Sequence, residues 1–204
     1  MQIERLKHML SGPLPGEKAQ ALMAPSFRFE DMWTGDPSEA LPSSVLILIF
    51  PKRGHWFVPF IQRSVYNGAH SGQISFPGGK CEKDDLDYLH TALRETEEEI
   101  GVASGTVNFL GALTPLYIPK SNFFVYPQVG WVNETPLFVP DPLEVSEIIE
   151  VSLESLLERE NVKTFSYQAN DTVISAPYYD ANGKKIWGAT AMILSEMLEV
   201  IKRL

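Results

Sequence analysis

Four glutamates fall within five positions of this chain: Glu95, Glu97, Glu98 and Glu99. On a helix, Glu95 and Glu99 are i,i+4 neighbours on one face, and Glu98 lies i+3 from Glu95. Like charges at that spacing repel by roughly 0.2–0.5 kcal/mol per pair. Desolvated together, they would not all ionise. A hard divalent cation removes the conflict, because Mg²⁺ binds carboxylates alongside water and substrate phosphates. The competing reading is a solvated acidic face built from good helix formers. Upstream, Gly78-Gly79 lets the backbone come close to a ligand and can aim carbonyls or amides at a metal or phosphate. By itself that pair reads as a tight turn.

The elements that must position these residues follow from periodicity. Residues 87–100 form the helix, with Gly101 at its C′ position. Gln73–Phe76 is a short strand stopped by Pro77-Gly78-Gly79. Earlier, Ser44–Phe50 is a β-branched apolar strand, and Trp56–Gln62 is its hairpin partner after Gly54. Strands are expected near 106–114, 123–133 and 145–151, and a helix over 152–160. A strand hairpin is expected over 164–179, with a further turn at Asn182-Gly183. Amphipathic helices fit 2–11 and 187–203. Strands and helices mix without regular βαβ alternation. The fold class is therefore α+β, a mixed sheet with helices packed against it.

Composition narrows the function. The chain has 204 residues, enough for a buried core without a disulfide or metal staple. Lys plus Arg is 17 and Asp plus Glu is 26, a net charge of −9. Duplex nucleic-acid binders present a basic face, and none is visible here. The longest apolar run, Val45 to Phe50, is far too short to span a bilayer, so no membrane role is expected. Cys81 is the only cysteine and suits a reducing cytoplasm. The first residues lack the apolar stretch of a secretory signal. The four tryptophans, Trp33, Trp56, Trp131 and Trp187, read as core or rim.

The segment Gly79 to Val102, GKCEKDDLDYLHTALRETEEEIGV, resembles the Nudix box, G-x5-E-x7-R-E-U-x-E-E-x-G-U, where U is bulky and apolar. Arg94-Glu95, Glu98-Glu99, Gly101 and Val102 match. The stretch between Gly79 and Arg94 is one residue longer than the pattern. Its first Glu has no Glu counterpart: Asp85 takes that place counting forward and Leu86 counting backward. Thr96 stands where an apolar residue is usual. The run Arg63-Ser64 … Gly72 … Phe76-Pro77-Gly78-Gly79 is similar to a signature of coenzyme A pyrophosphatases, L-L-T-x-R-(S/A)-x3-R-x3-G-x3-F-P-G-G. The segments at 14–25, 113–125 and 186–191 resemble that subfamily too. Two positions depart from it: Pro59-Phe60-Ile61 replaces L-L-T, and Gly68 replaces the second Arg.

The resemblance implies a Nudix-like α/β/α sandwich over residues 1–204, with residues 1–42 as an extension packed on the core. It implies hydrolysis of a pyrophosphate bond with Mg²⁺ or Mn²⁺. The substrate implied is coenzyme A or a derivative, giving 4′-phosphopantetheine and adenosine 3′,5′-bisphosphate. Two alternatives stay open: another nucleoside diphosphate compound, such as ADP-ribose or a dinucleotide, and a nucleotide-binding protein that does not cut. Under the resemblance, Glu95, Glu98, Glu99 and the Gly79 carbonyl are the metal ligands. Glu98, Arg94 and Glu144 form the catalytic group, with Arg94 fixing the glutamates by pairing with Glu98. Glu144 is the candidate base and Glu147 the second choice. Arg63, Lys80 and Gly78 are placed at the substrate phosphates. His70 is a weaker site-lining candidate, and Tyr117 and Phe123 are candidates to touch the adenine or pantetheine. Which ion, which acyl form and which oligomeric state apply is left open.

Overall fold

The apolar run Ser44–Phe50 lies within β1 (Leu41–Lys52), a strand covered on both faces. Leu46, Leu48 and Phe50 point to one apolar cluster, and Ile47 and Ile49 to another. A strand buried on both sides loses its polar alternation, which is why this run reads as continuously hydrophobic. The computed structural model describes residues 2–26, 36–64, 72–169 and 172–204. Gly68, His70 and Trp33 lie outside the described residues.

β1 changes neighbours along its length. Its end pairs with β2 (His55–Arg63), with Phe50 opposite Phe57. Its start pairs with β4 (Gly78–Lys80) on one side. On the other side it runs parallel to β7 (Phe123–Trp131). β3 (Ile74–Ser75) and β8 (Val145–Ser152) join β2, while β5 (Asn108–Ala112) and β6 (Leu116–Ile118) join β7. Among the described residues this eight-stranded sheet is mixed: β1 and β7 run parallel and the other pairs antiparallel. A separate antiparallel sheet holds β9 (Val162–Ala169), β10 (Thr172–Ala181) and β11 (Lys184–Trp187). The turn between β10 and β11 is at Asn182-Gly183, both with positive φ.

Helices cover the two faces of the large sheet. α3 (Tyr88–Ile100) lies on one, its Ala92 and Ile100 packed with Leu46, Leu48 and Phe50. On the other lie α1 (Ile3–Leu10), the short α2 (Glu17–Gln20) and α5 (Gly188–Ile201). Glu196 of α5 is fully buried yet satisfied. It accepts from the Gly16 amide at 3.1 Å, Gln20 Nε2 at 2.9 Å and the Thr114 hydroxyl at 2.6 Å. That carboxylate ties residues 16–20 and the approach to β6 onto α5.

Three expectations change. Gly78-Gly79 is part of β4, not only a turn. The Leu46 amide donates to Pro77 O at 2.9 Å and the Cys81 amide to Pro42 O at 3.0 Å, so the segment is held as an edge against β1. The helix expected over 152–160 shortens to α4 (Leu153–Leu157), because Glu158 is extended and only a 3₁₀ turn follows. The final helix starts one residue later than expected, because Trp187 belongs to β11.

Candidate active site

α3 begins at Asp87, whose carboxylate accepts from the His90 amide at 2.7 Å, and ends at Gly101 in the left-handed region. Thr96 faces inward and is fully buried, but its hydroxyl donates to Ala92 O at 2.6 Å. A threonine satisfied within its own helix serves as an apolar residue, which explains the departure at that position. The same winding turns Glu95 and Glu99 toward β4. Glu97 lies elsewhere, accepting from the amide and hydroxyl of Ser104 at 2.9 and 2.7 Å.

Glu99 is 1% exposed. Its Oε2 accepts from the Gly78 amide at 2.8 Å, and its Oε1 is buried with no hydrogen-bond partner among the described residues. Arg63 Nη1, at the end of β2, stands 3.5 Å from that oxygen. Burial pushes the Glu99 carboxyl up to about 8, against the opposing pull of Gly78 and Arg63. Glu95 lies directly on Gly79: a Cβ there would fall 2.5 Å from its carboxylate. Burial also raises the Glu95 carboxyl, with Glu98 and Glu144 adding to the effect.

Arg94 organises the exposed side of this group. Its Nη1 sits 3.0 Å from both Glu95 Oε1 and Glu98 Oε2. Its Nε and Nη2 each meet a different oxygen of Asp85 at 3.1 Å, a forked pair, and Nη2 also reaches Lys80 O at 3.3 Å. Asp85 in turn accepts from the Thr91 hydroxyl at 2.8 Å, and the Arg94 contact holds its carboxyl well below the usual range. Leu86 is 88% exposed. Asp85, not Leu86, therefore occupies the inner position on the lengthened segment.

Glu144 is exposed and placed at the entry to β8, where its carbonyl accepts from the Ser64 amide at 2.8 Å. Its charge bears on both Glu95 and Glu99. Glu147 is paired with Lys184 on the strand opposite Gln62. A cavity of about 710 Å³ opens from Arg63, Gly78, Gly79 and Lys80 and extends to Trp187 and Met192. Tyr117 and Phe123 also line it. Among the described residues lining it, the charged ones are all cations: Arg63, Lys80 and Lys120. Lys120 and Trp187 lie in the segments 113–125 and 186–191 noted above, though neither is among the expected site residues.

A divalent cation suits these donors in part. Glu99 supplies a buried carboxylate oxygen with no hydrogen bond among the described residues, and Glu95 supplies a second carboxylate pressed against the Gly79 backbone. Both are hard oxygen donors of the type Mg²⁺ and Mn²⁺ prefer. Among the described residues no three such groups form a ready-made cage. Glu98 is instead held by Arg94, with 58% of its side chain exposed.

Residues 40–171 match the NUDIX domain family. The chain belongs to the Nudix family. Two solved Nudix structures share its fold: a MutT/nudix family protein from Enterococcus faecalis (TM-score 0.55, 14% identity, 100% of this chain and 75% of that one) and a MutT protein from Methanosarcina mazei Go1 (TM-score 0.51, 17% identity, 80% and 96%). Closer in sequence are a mitochondrial coenzyme A diphosphatase of Mus musculus, 36% identical over 66% of this chain and 65% of that protein, and the mitochondrial Nudix hydrolase 15 of Arabidopsis thaliana, 36% identical over 78% and 59%. This Nudix chain spans about three fifths to two thirds of the length of these relatives.

Proposed function

We propose that this Nudix protein hydrolyses the pyrophosphate bond of coenzyme A or a derivative, giving 4′-phosphopantetheine and adenosine 3′,5′-bisphosphate. The observation that carries the reading is the cavity. It begins at the glycines that Glu95 and Glu99 pack against, and its charged lining is cationic in a chain of net charge −9. The similarity to a coenzyme A diphosphatase supports the choice of substrate.

In this reading Glu95 and Glu99, with Glu98 and the Gly79 carbonyl, hold Mg²⁺ or Mn²⁺. The ion supplies charge neutralisation at the two phosphates and orientation of the attacking water. Arg63 and Lys80 add positive charge beside the bridging oxygen, next to Gly78, which lines the cavity and whose missing side chain makes room for β1. Glu144 takes the proton from water as its oxygen attacks one phosphorus. The bond from that phosphorus to the bridging oxygen breaks, and the second phosphate leaves with the bridging oxygen and takes up a proton. Arg94 keeps Glu95 and Glu98 in place. The single cysteine supports a cytoplasmic location, whereas the two named relatives are mitochondrial proteins.

A panel of diphosphates incubated with Mg²⁺ or Mn²⁺ and read by chromatography tests this. The expected result is cleavage of coenzyme A to the two named products, abolished by EDTA. Intact coenzyme A beside cleaved ADP-ribose would overturn the substrate. That second reading is favoured by Gly68, which stands where the coenzyme A signature has Arg.

A further inference from the structure

The three cations of the cavity fall in two places. Arg63 and Lys80 stand at its Gly78-Gly79 end, where the pyrophosphate is placed. Lys120 stands apart, on the turn between β6 and β7. In the sheet, Lys80 is opposite Ser43 of β1, whereas Phe123 is opposite Leu41. The turn before Phe123 therefore extends past the start of β1, away from the metal end.

That turn is well fixed. The Asn122 amide donates to Pro119 O at 3.2 Å, the Tyr117 hydroxyl to Asn122 Oδ1 at 2.7 Å, and the Leu41 amide to Asn122 O at 2.8 Å. Lys120 and Ser121 of this turn both line the cavity. Lys120 is exposed, and no carboxylate is among the described lining residues. Beside it, Ser121 Oγ is buried with no hydrogen-bond partner among the described residues. An ammonium next to a spare hydroxyl donor suits a phosphate oxygen, whose charge strengthens both bonds.

We propose that Lys120 and Ser121 form a second anion subsite, which takes a phosphomonoester lying away from the pyrophosphate. The inference rests on the coenzyme A reading, in which that group is the ribose 3′-phosphate. Lys120 then supplies the positive charge that Gly68 does not, and it sets the preference for coenzyme A over its 3′-dephospho form.

The test compares kcat/KM for coenzyme A and dephospho-coenzyme A. The protein should favour coenzyme A by about tenfold, a charge-assisted hydrogen bond's worth. Lys120→Gln should bring the ratio close to one, and Lys120→Arg should restore most of it. In parallel, calorimetry in chelator compares adenosine 3′,5′-bisphosphate with adenosine 5′-monophosphate, which needs no turnover. The bisphosphate should bind about tenfold tighter, and Lys120→Gln should erase the difference. A ratio that Lys120→Gln leaves intact, or equal binding of the two nucleotides, overturns the subsite. If neither coenzyme A form is cut, the substrate reading fails, and the nucleotide comparison still decides on Lys120.

Discussion

The Glu95 carboxylate rests on the bare backbone of Gly79, at a distance where any β-carbon would displace it. Gly79 lacks the positive φ of Gly78, so its backbone accommodates alanine. The clash of Gly79→Ala falls on the end of a flexible side chain. The expected result is a loss of about 10²-fold in kcat, as for a small misplacement of a catalytic group, with little change in melting temperature. Adding Glu95→Gln to Gly79→Ala should cost little more, because both act on one contact. Fully additive losses would show that Glu95 does not act through this contact.

Glu95→Gln and Glu99→Gln each remove one charged oxygen donor while keeping size. Each should lower kcat by roughly 10²-fold or more and reduce the rise in melting temperature produced by Mg²⁺ or Mn²⁺. Glu97→Gln is the contrast. It weakens the contact with Ser104 and should lower stability slightly while leaving activity near normal. Equal damage at Glu97 and Glu95 would contradict the division of the helix into two faces.

Glu99 gives a pH dependence with a definite sign. Burial lifts its carboxyl from the ordinary glutamate value, about 4.3, to about 8. The folded state therefore holds a proton that the unfolded state has lost across that window. Its contribution to stability falls as pH rises. In EDTA the melting temperature should decline from about pH 5 to about pH 8, and Glu99→Gln should flatten that slope. Metal competes with the proton, so the stabilisation by Mg²⁺ should grow over the same range. An unchanged slope in Glu99→Gln would rule out this assignment.

Asp85 and Leu86 separate the two registers of the lengthened box. Asp85→Ala leaves the forked face of Arg94 without its partner and should cost about 2 kcal/mol, along with activity. Leu86→Ala removes an exposed side chain and should change neither. Urea unfolding with activity assays on both variants distinguishes the registers. The reverse pattern would place Leu86 at the inner position.

Local spacing is enough to sort the glutamates of this helix by face. A helix puts residues three and four apart on one face, so Glu95, Glu98 and Glu99 were separable from Glu97 before any fold was known. The run in β1 showed a strand buried on both faces, because its side chains carry no polar alternation. Contacts between segments far apart in the chain needed the tertiary structure. Helix spacing does not reveal that Arg63 meets Glu99, that Glu147 is occupied by Lys184, or that Asp85 rather than Leu86 turns inward. The Gly78-Gly79 pair read as a turn because glycine permits one. It became a strand because β1 offered unpaired backbone groups and Glu95 needed the space a side chain would fill. The cavity, too, belongs to the fold alone: its walls come from β4, the β6–β7 turn, the small sheet and α5, brought together by long-range packing that local periodicity does not encode.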